Sequence, residues 1–116
     1  MFAYEIPGLR FSLPAGGAVA RCRFVSVAND AAVQATAATA VVGVSTNLVT
    51  AEELAAGERI VEIADGIVMV EAAGAIASGD KVGPDADGKA VVATDTACGV
   101  AITAATGAGQ LIAVKL

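Results

Sequence analysis

Asp85-Ala86-Asp87-Gly88 is the stretch of this chain whose residue types and spacing come nearest to a chemical site. The run matches the D-x-D-G core of a calcium loop. With Gly88 in the place of the invariant glycine, however, Gly83 stands where the first ligand belongs and Thr94 where the bidentate glutamate belongs. A hairpin turn is the plainer reading. The glycines of "TGAGQLI" fail in another way, because a phosphate cradle leads into a helix whose N-terminus faces the anion, and here only seven residues follow Gly109. The chain contains no histidine, which excludes Ser-His and Cys-His constellations. A carboxylate mechanism needs two acids held together in a cleft, whereas these acids sit mainly beside glycines at turns or on polar strand faces. Cys22 and Cys98 are far apart and form no CxxC pair, so two buried thiols are expected rather than a metal or redox site. No catalytic residue, metal ligand or cofactor is assigned.

The elements around these residues read as strands and turns. "RCRFVSVA" (21–28) is β-branched, roughly alternating, and closed by Asn29-Asp30. An apolar run at 40–44 precedes "TAEELAAG", where Thr50 and Glu53 form a capping box and Gly57 stops a single short helical turn. Asp65-Gly66 lies between "RIVEIA" and "IVMVEA" and signals a hairpin with a type I′ turn. Ala86-Asp87-Gly88-Lys89 repeats the device, and 98–104 with 110–116 supply two further strands around "TGAG". The expected fold is all-β, a small sandwich or barrel of short antiparallel strands. An echo runs through it: "VVGVST…AAGERIVEI" and "ACGVAIT…GAGQLIAVKL" share a Gly-Val pair, then Ala-Gly and an apolar strand. A duplicated hairpin and a coincidence within a small alphabet both remain open.

The 116 residues are enough for one domain with a modest core. The apolar fraction is 56% but only 3% is aromatic, so that core is built from Ala and Val and is thin. A subunit that buries apolar surface against a neighbour suits such a composition, and an oligomer is expected. Seven basic residues scattered through a chain of net charge −5 give no stripe for a phosphate backbone, so nucleic acid is not an expected partner. The longest apolar stretch, 31–44, is interrupted by Gln34, Thr36 and Thr39 and is too short for a bilayer; no membrane partner and no secretory leader are expected.

The order of "GGAVARCRFVSV", "VVGVST", "AAGERIVEIADGIVMVEAAGAIASGDKVGPDADGKAVVA" and "CGVAITAATGAGQLIAVKL" resembles the small capsid cement, or head decoration, proteins of tailed bacteriophages. The likeness covers roughly residues 16–116 and rests on the order and spacing of motifs that are individually generic. It implies a non-enzymatic structural protein of the virion, assembled in the bacterial host cytoplasm, that binds the major capsid protein on the outside of the head as a homotrimer and stabilises the shell. Several weak footholds on one oligomer add up through avidity, so such a clamp needs no catalytic group.

Residues 1–15 stand apart from the β domain expected at 16–116. Three of the four aromatics, Phe2, Tyr4 and Phe11, fall here among Pro7, Gly8 and Pro14, in a segment too punctuated for a regular central strand. An extended arm whose aromatics anchor a neighbouring subunit or the capsid is one reading. An arm folded back over its own Ala-rich domain is the other. A small β-barrel carrier or ligand- or glycan-binding module is the rival function. It is suggested by "ASGDKVG", although the flanks of Lys81 and Lys89 do not resemble those of a modified lysine.

Overall fold

In the computed structural model, residues 6–116 are described. They form a curled antiparallel half-barrel sheet with one short helix, as the composition and turn spacing require. The strands are β1 (Ile6–Pro14), β2 (Phe24–Ala28), β3 (Ala31–Gln34), β4 (Val41–Ser45), β5 (Ile60–Glu71), β6 (Lys81–Pro84), β7 (Ala90–Val92), β8 (Gly99–Ala101) and β9 (Leu111–Lys115). The helix α1 (Ala51–Ala56) lies between β4 and β5. The sheet order is β3-β2-β4-β5-β9-β8-β6-β7, and β1 joins β5 off this path.

Local turn chemistry places several elements directly. Asn29 and Asp30 both have positive φ, 52° and 62°, and form a two-residue connection that pairs Ala28 with Ala31. Thr50 Oγ1 accepts from the Glu53 N–H while the Glu53 carboxylate accepts from the Thr50 N–H, closing the capping box of α1. The first hairpin strand begins at Phe24 rather than Arg21, because Cys22 turns the chain with φ 60°.

The hairpin expected at Asp65-Gly66 does not form. β5 runs unbroken from Ile60 to Glu71, since its two ends have different partners: β1 along Ile60–Ile67, β4 at Ile63 and Ala64, and β9 along Ile67–Glu71. Gly66 still uses its positive φ, 109°, but to bend a strand and not to reverse it. Opposite this bend the register of β1 passes from Pro7 to Leu9, leaving Gly8 as the extra residue of a bulge. The punctuation of the N-terminal segment is thus spent on a bulged strand alongside β5.

The sequence echo is a duplication, and it extends well past one hairpin. Leu13 pairs with Val61 as Val70 pairs with Ile112. The Ala15 N–H donates to the Arg59 carbonyl as Ala72 donates to Gln110, and Gly16 to Ala32 as Ala73 to Ala90. Val19 bridges Val49 as Ile76 bridges Ala105, and Cys22 donates to Ser45 as Gly79 donates to Ala101. Two halves, 9–64 and 66–115, therefore repeat one curled unit, with β5 passing from the first into the second. Each half has its own core. Val19, Val25, Ala32, Val49, Val61 and Ile63 fill the first; Ile76, Val82, Ala90, Ala105, Ile112 and Val114 hold the same places in the second.

The shared Gly-Val pairs have a steric cause. A Cβ on Gly43 would lie 2.5 Å from the Ala64 carbonyl oxygen and from Ile63 Cγ2, and one on Gly99 would lie 2.7 Å from Val114 Cγ1 and 2.9 Å from the Lys115 carbonyl oxygen. Ile63 and Ala64 occupy in the first half the positions of Val114 and Lys115 in the second. In both halves the glycine lets the long strand approach. The extra residues of the first half form α1; in the second half Gln110 closes the shorter connection by accepting from the Thr106 N–H and donating to Thr106 Oγ1.

Candidate interaction surface

The Asp85–Lys89 turn, the nearest approach to a metal loop, is occupied with its own backbone and with the seam between the halves. Asp85 Oδ1 accepts from the N–H groups of Asp87 and Lys89, an Asx-type closure that leaves the carboxylate committed. Gly88, at φ 75°, sits so close to Phe24 and Ala35 of the first half that a Cβ would meet their carbonyl oxygens at 3.2 Å. The Phe24 N–H donates to the Gly88 carbonyl at 2.9 Å, and Arg23 Nη1 donates to the Asp87 carbonyl at 2.9 Å. Beneath the turn, Glu71 is flanked by Arg23 at 3.6 Å and Lys89 at 3.2 Å, all three side chains largely withdrawn from water. Arg23 Nε is buried there with no hydrogen-bond partner. The turn is a latch between halves.

The other polar groups that could carry chemistry are similarly placed. Among the described residues no three His, Cys, Asp or Glu side chains gather as a metal site. Ser45, the one buried polar side chain among them, donates from Oγ to the Ala20 carbonyl and accepts from the Arg23 N–H, fixing the loop that leads into β2. Cys22 is buried and Cys98 half-buried, and neither is in a disulfide. Burial pushes the Cys98 thiol up to about 11, with a backbone hydrogen bond at Cys98 opposing it. Cys98 precedes Gly99 as Val42 precedes Gly43, and both pack on the core of their own half, so the thiol acts as a small apolar side chain.

What the surface does offer is apolar. Ile60 is 59% exposed and Leu111 42%, and these two occupy equivalent positions at the entries of β5 and β9. Leu9, 57% exposed, lies on β1, and beside Ile60 a groove of about 420 Å³ is lined by Ser12, Leu13, Pro14, Glu58, Arg59 and Ile60. The sequence did not single these residues out, since an isolated leucine or isoleucine at a strand end has no signature before its neighbours are known. Of the residues it did single out, Phe11 is half-buried on β1 and packs on the first-half core. Phe2 and Tyr4 lie outside the described residues. No described helix is long and apolar enough to cross a membrane.

Comparison with known proteins decides which class of molecule carries this body. The family model for phage cement proteins matches residues 8–116. The chain belongs to the phage cement protein family. Cement proteins are structural proteins of phage particles, and the match spans both halves of the duplication. The N base of the head fiber gp8.5 of bacteriophage phi29 has a similar fold, with a TM-score of 0.72 over 93% of this chain and 94% of that one at 22% identity. A search of curated proteins gave no match. This cement protein is a structural protein associated with the phage particle.

Proposed function

We propose that the protein clamps the outer face of an assembled phage head, as a homotrimer bound to the major capsid protein, and stiffens the shell against internal pressure without catalysing any reaction. The family match over residues 8–116 carries this reading. The body suits it: two tandem curled units tied by β5 and an ionic latch make a stiff strut 40 Å long in its longest dimension. The exposed Ile60 and Leu111 offer one apolar foothold per half, so each copy contributes two to the assembly's avidity. Phe2 and Tyr4 are assigned to capsid or neighbour contact as aromatic anchors, while Phe11 seats β1 on the first half.

The test is cosedimentation of the purified protein with expanded head shells that lack it. Saturable binding at a fixed ratio to the major capsid subunit, lost on Ile60→Glu or Leu111→Glu without loss of folding, is expected. Shells that sediment without the protein at every concentration would refute the reading.

A further inference from the structure

The duplication exposes an unused half of a joint that the chain has already built once. Within the molecule, the second-half turn at Gly88 docks on the first half at Phe24 and Ala35, at one end of its outer face. That face is a row running across three strands, Phe24, Val44 and Ala64, which are in lateral register and fully buried against the second half. The same row in the second half is Lys81, Val100 and Lys115, again in lateral register across β6, β8 and β9. Here it is open: Val100 is 42% exposed and both lysines are exposed. The turn equivalent to Gly88 is Asn29-Asp30 of the first half, which joins the matching pair of strands and is exposed as well.

We infer that the Lys81–Val100–Lys115 row of one copy receives the Asn29-Asp30 turn of a second copy, so that copies join head to tail through a repeat of the intramolecular joint. Three observations converge. Each half carries one turn and one row, and the chain pairs only the second turn with the first row. The open row has exchanged Phe24 and Ala64 for two lysines around a retained valine, while the open turn, like the inner turn with Asp87, carries an acid, Asp30, so the open row and the open turn are of opposite charge. The row also keeps an apolar centre, since Val100, 42% exposed, stands where the buried Val44 stands in the internal joint. Asp80, which takes the place of Arg23, has its carboxylate engaged by the Ala77 N–H. A contact between two different faces of identical copies is heterologous, and it closes into a ring when its rotation allows.

This joint rests on the self-association in the reading above and gives it an address. The experiment is native mass and sedimentation equilibrium on the full chain, with thermal melting as the check on folding. Wild type is expected to be a closed oligomer. Lys81→Glu with Lys115→Glu should weaken association at least about tenfold without moving the melting temperature, Asp30→Lys should do the same, and combining the three should restore it. An oligomeric wild type whose affinity is indifferent to these changes would overturn the joint and leave self-association standing. A wild type monomeric at all concentrations would overturn both. Binding to head shells, measured separately, shows whether the capsid reading survives either result.

Discussion

Replacing Gly43 by alanine places a methyl group where the backbone of β5 already is. The new Cβ would stand 2.5 Å from the Ala64 carbonyl oxygen, and ordinary contact begins at 3.4 Å, so β4 and β5 must separate by roughly 0.9 Å. A carbonyl oxygen held in the Val44–Ala64 and Ser45–Ile63 pairing cannot rotate away as a side chain would. Overpacking of this kind costs about 1–3 kcal/mol, and the upper end applies because the obstacle is backbone. Removing a glycine returns about 0.5–1 kcal/mol by restricting the unfolded chain. A net loss of about 2 kcal/mol remains, equivalent to a fall of about 8 °C in Tm for a domain this size. Gly99→Ala meets the Val114 side chain at 2.7 Å and a carbonyl oxygen at 2.9 Å, so part of its strain can be relieved and about half the effect is expected. Gly17→Ala and Gly74→Ala have nothing within 4 Å and serve as controls, within about 0.5 kcal/mol of wild type. The assay is thermal and urea unfolding of all four variants. If Gly43→Ala melted within 2 °C of the controls, the steric account of the repeated Gly-Val pairs would be refuted.

Glu71→Gln removes the charge between Arg23 and Lys89 and should lower stability by about 1.5 kcal/mol at low salt, less at high salt, as read by urea unfolding. Ser45→Ala should cost about 1 kcal/mol in the same assay, because it strands the Ala20 carbonyl and the Arg23 N–H. The second half carries Ala101 at the equivalent place, so the fold itself tolerates the smaller side chain. Since burial raises the Cys98 thiol from 9.0 to about 11, native protein at pH 8 should alkylate at Cys98 roughly a hundredfold more slowly than unfolded protein. The sign for stability follows from proton binding. Between pH 9 and 11 the native state keeps a proton that the unfolded state has lost, so this thiol's contribution is intact below pH 9 and falls away as pH rises toward 11, which unfolding of Cys98→Ala beside wild type would isolate.

Turns were the most legible part of the sequence because their cause is local. Asn29-Asp30, Gly88 and the Thr50/Glu53 box each fix their own backbone with residues at most a few positions away. Asp65-Gly66 carries the same local signal but a different outcome, since whether a flexible pair reverses a strand or bends it depends on which strands β5 finds as partners, and β1 and β9 are remote in sequence. The duplication was visible at the Gly-Val pairs, where space forbids a side chain at Gly43 and Gly99, and at the Ala-Gly pair and apolar strand that follow each. Elsewhere equivalent positions diverged with their surroundings: Phe24 became buried at the seam while Lys81 stayed in water. The exposed Ile60 and Leu111 were unreadable because their meaning lies in being equivalent and uncovered, which pairing alone reveals.

The claim that the protein reinforces a phage head is tested most directly by heating expanded head shells with and without saturating protein and following shell disruption by light scattering and electron microscopy. The account predicts intact shells at temperatures several degrees above those that rupture bare ones, with the gain following occupancy and absent for variants that no longer bind. Shells that bind the protein to saturation and rupture at the same temperature as bare shells would contradict it.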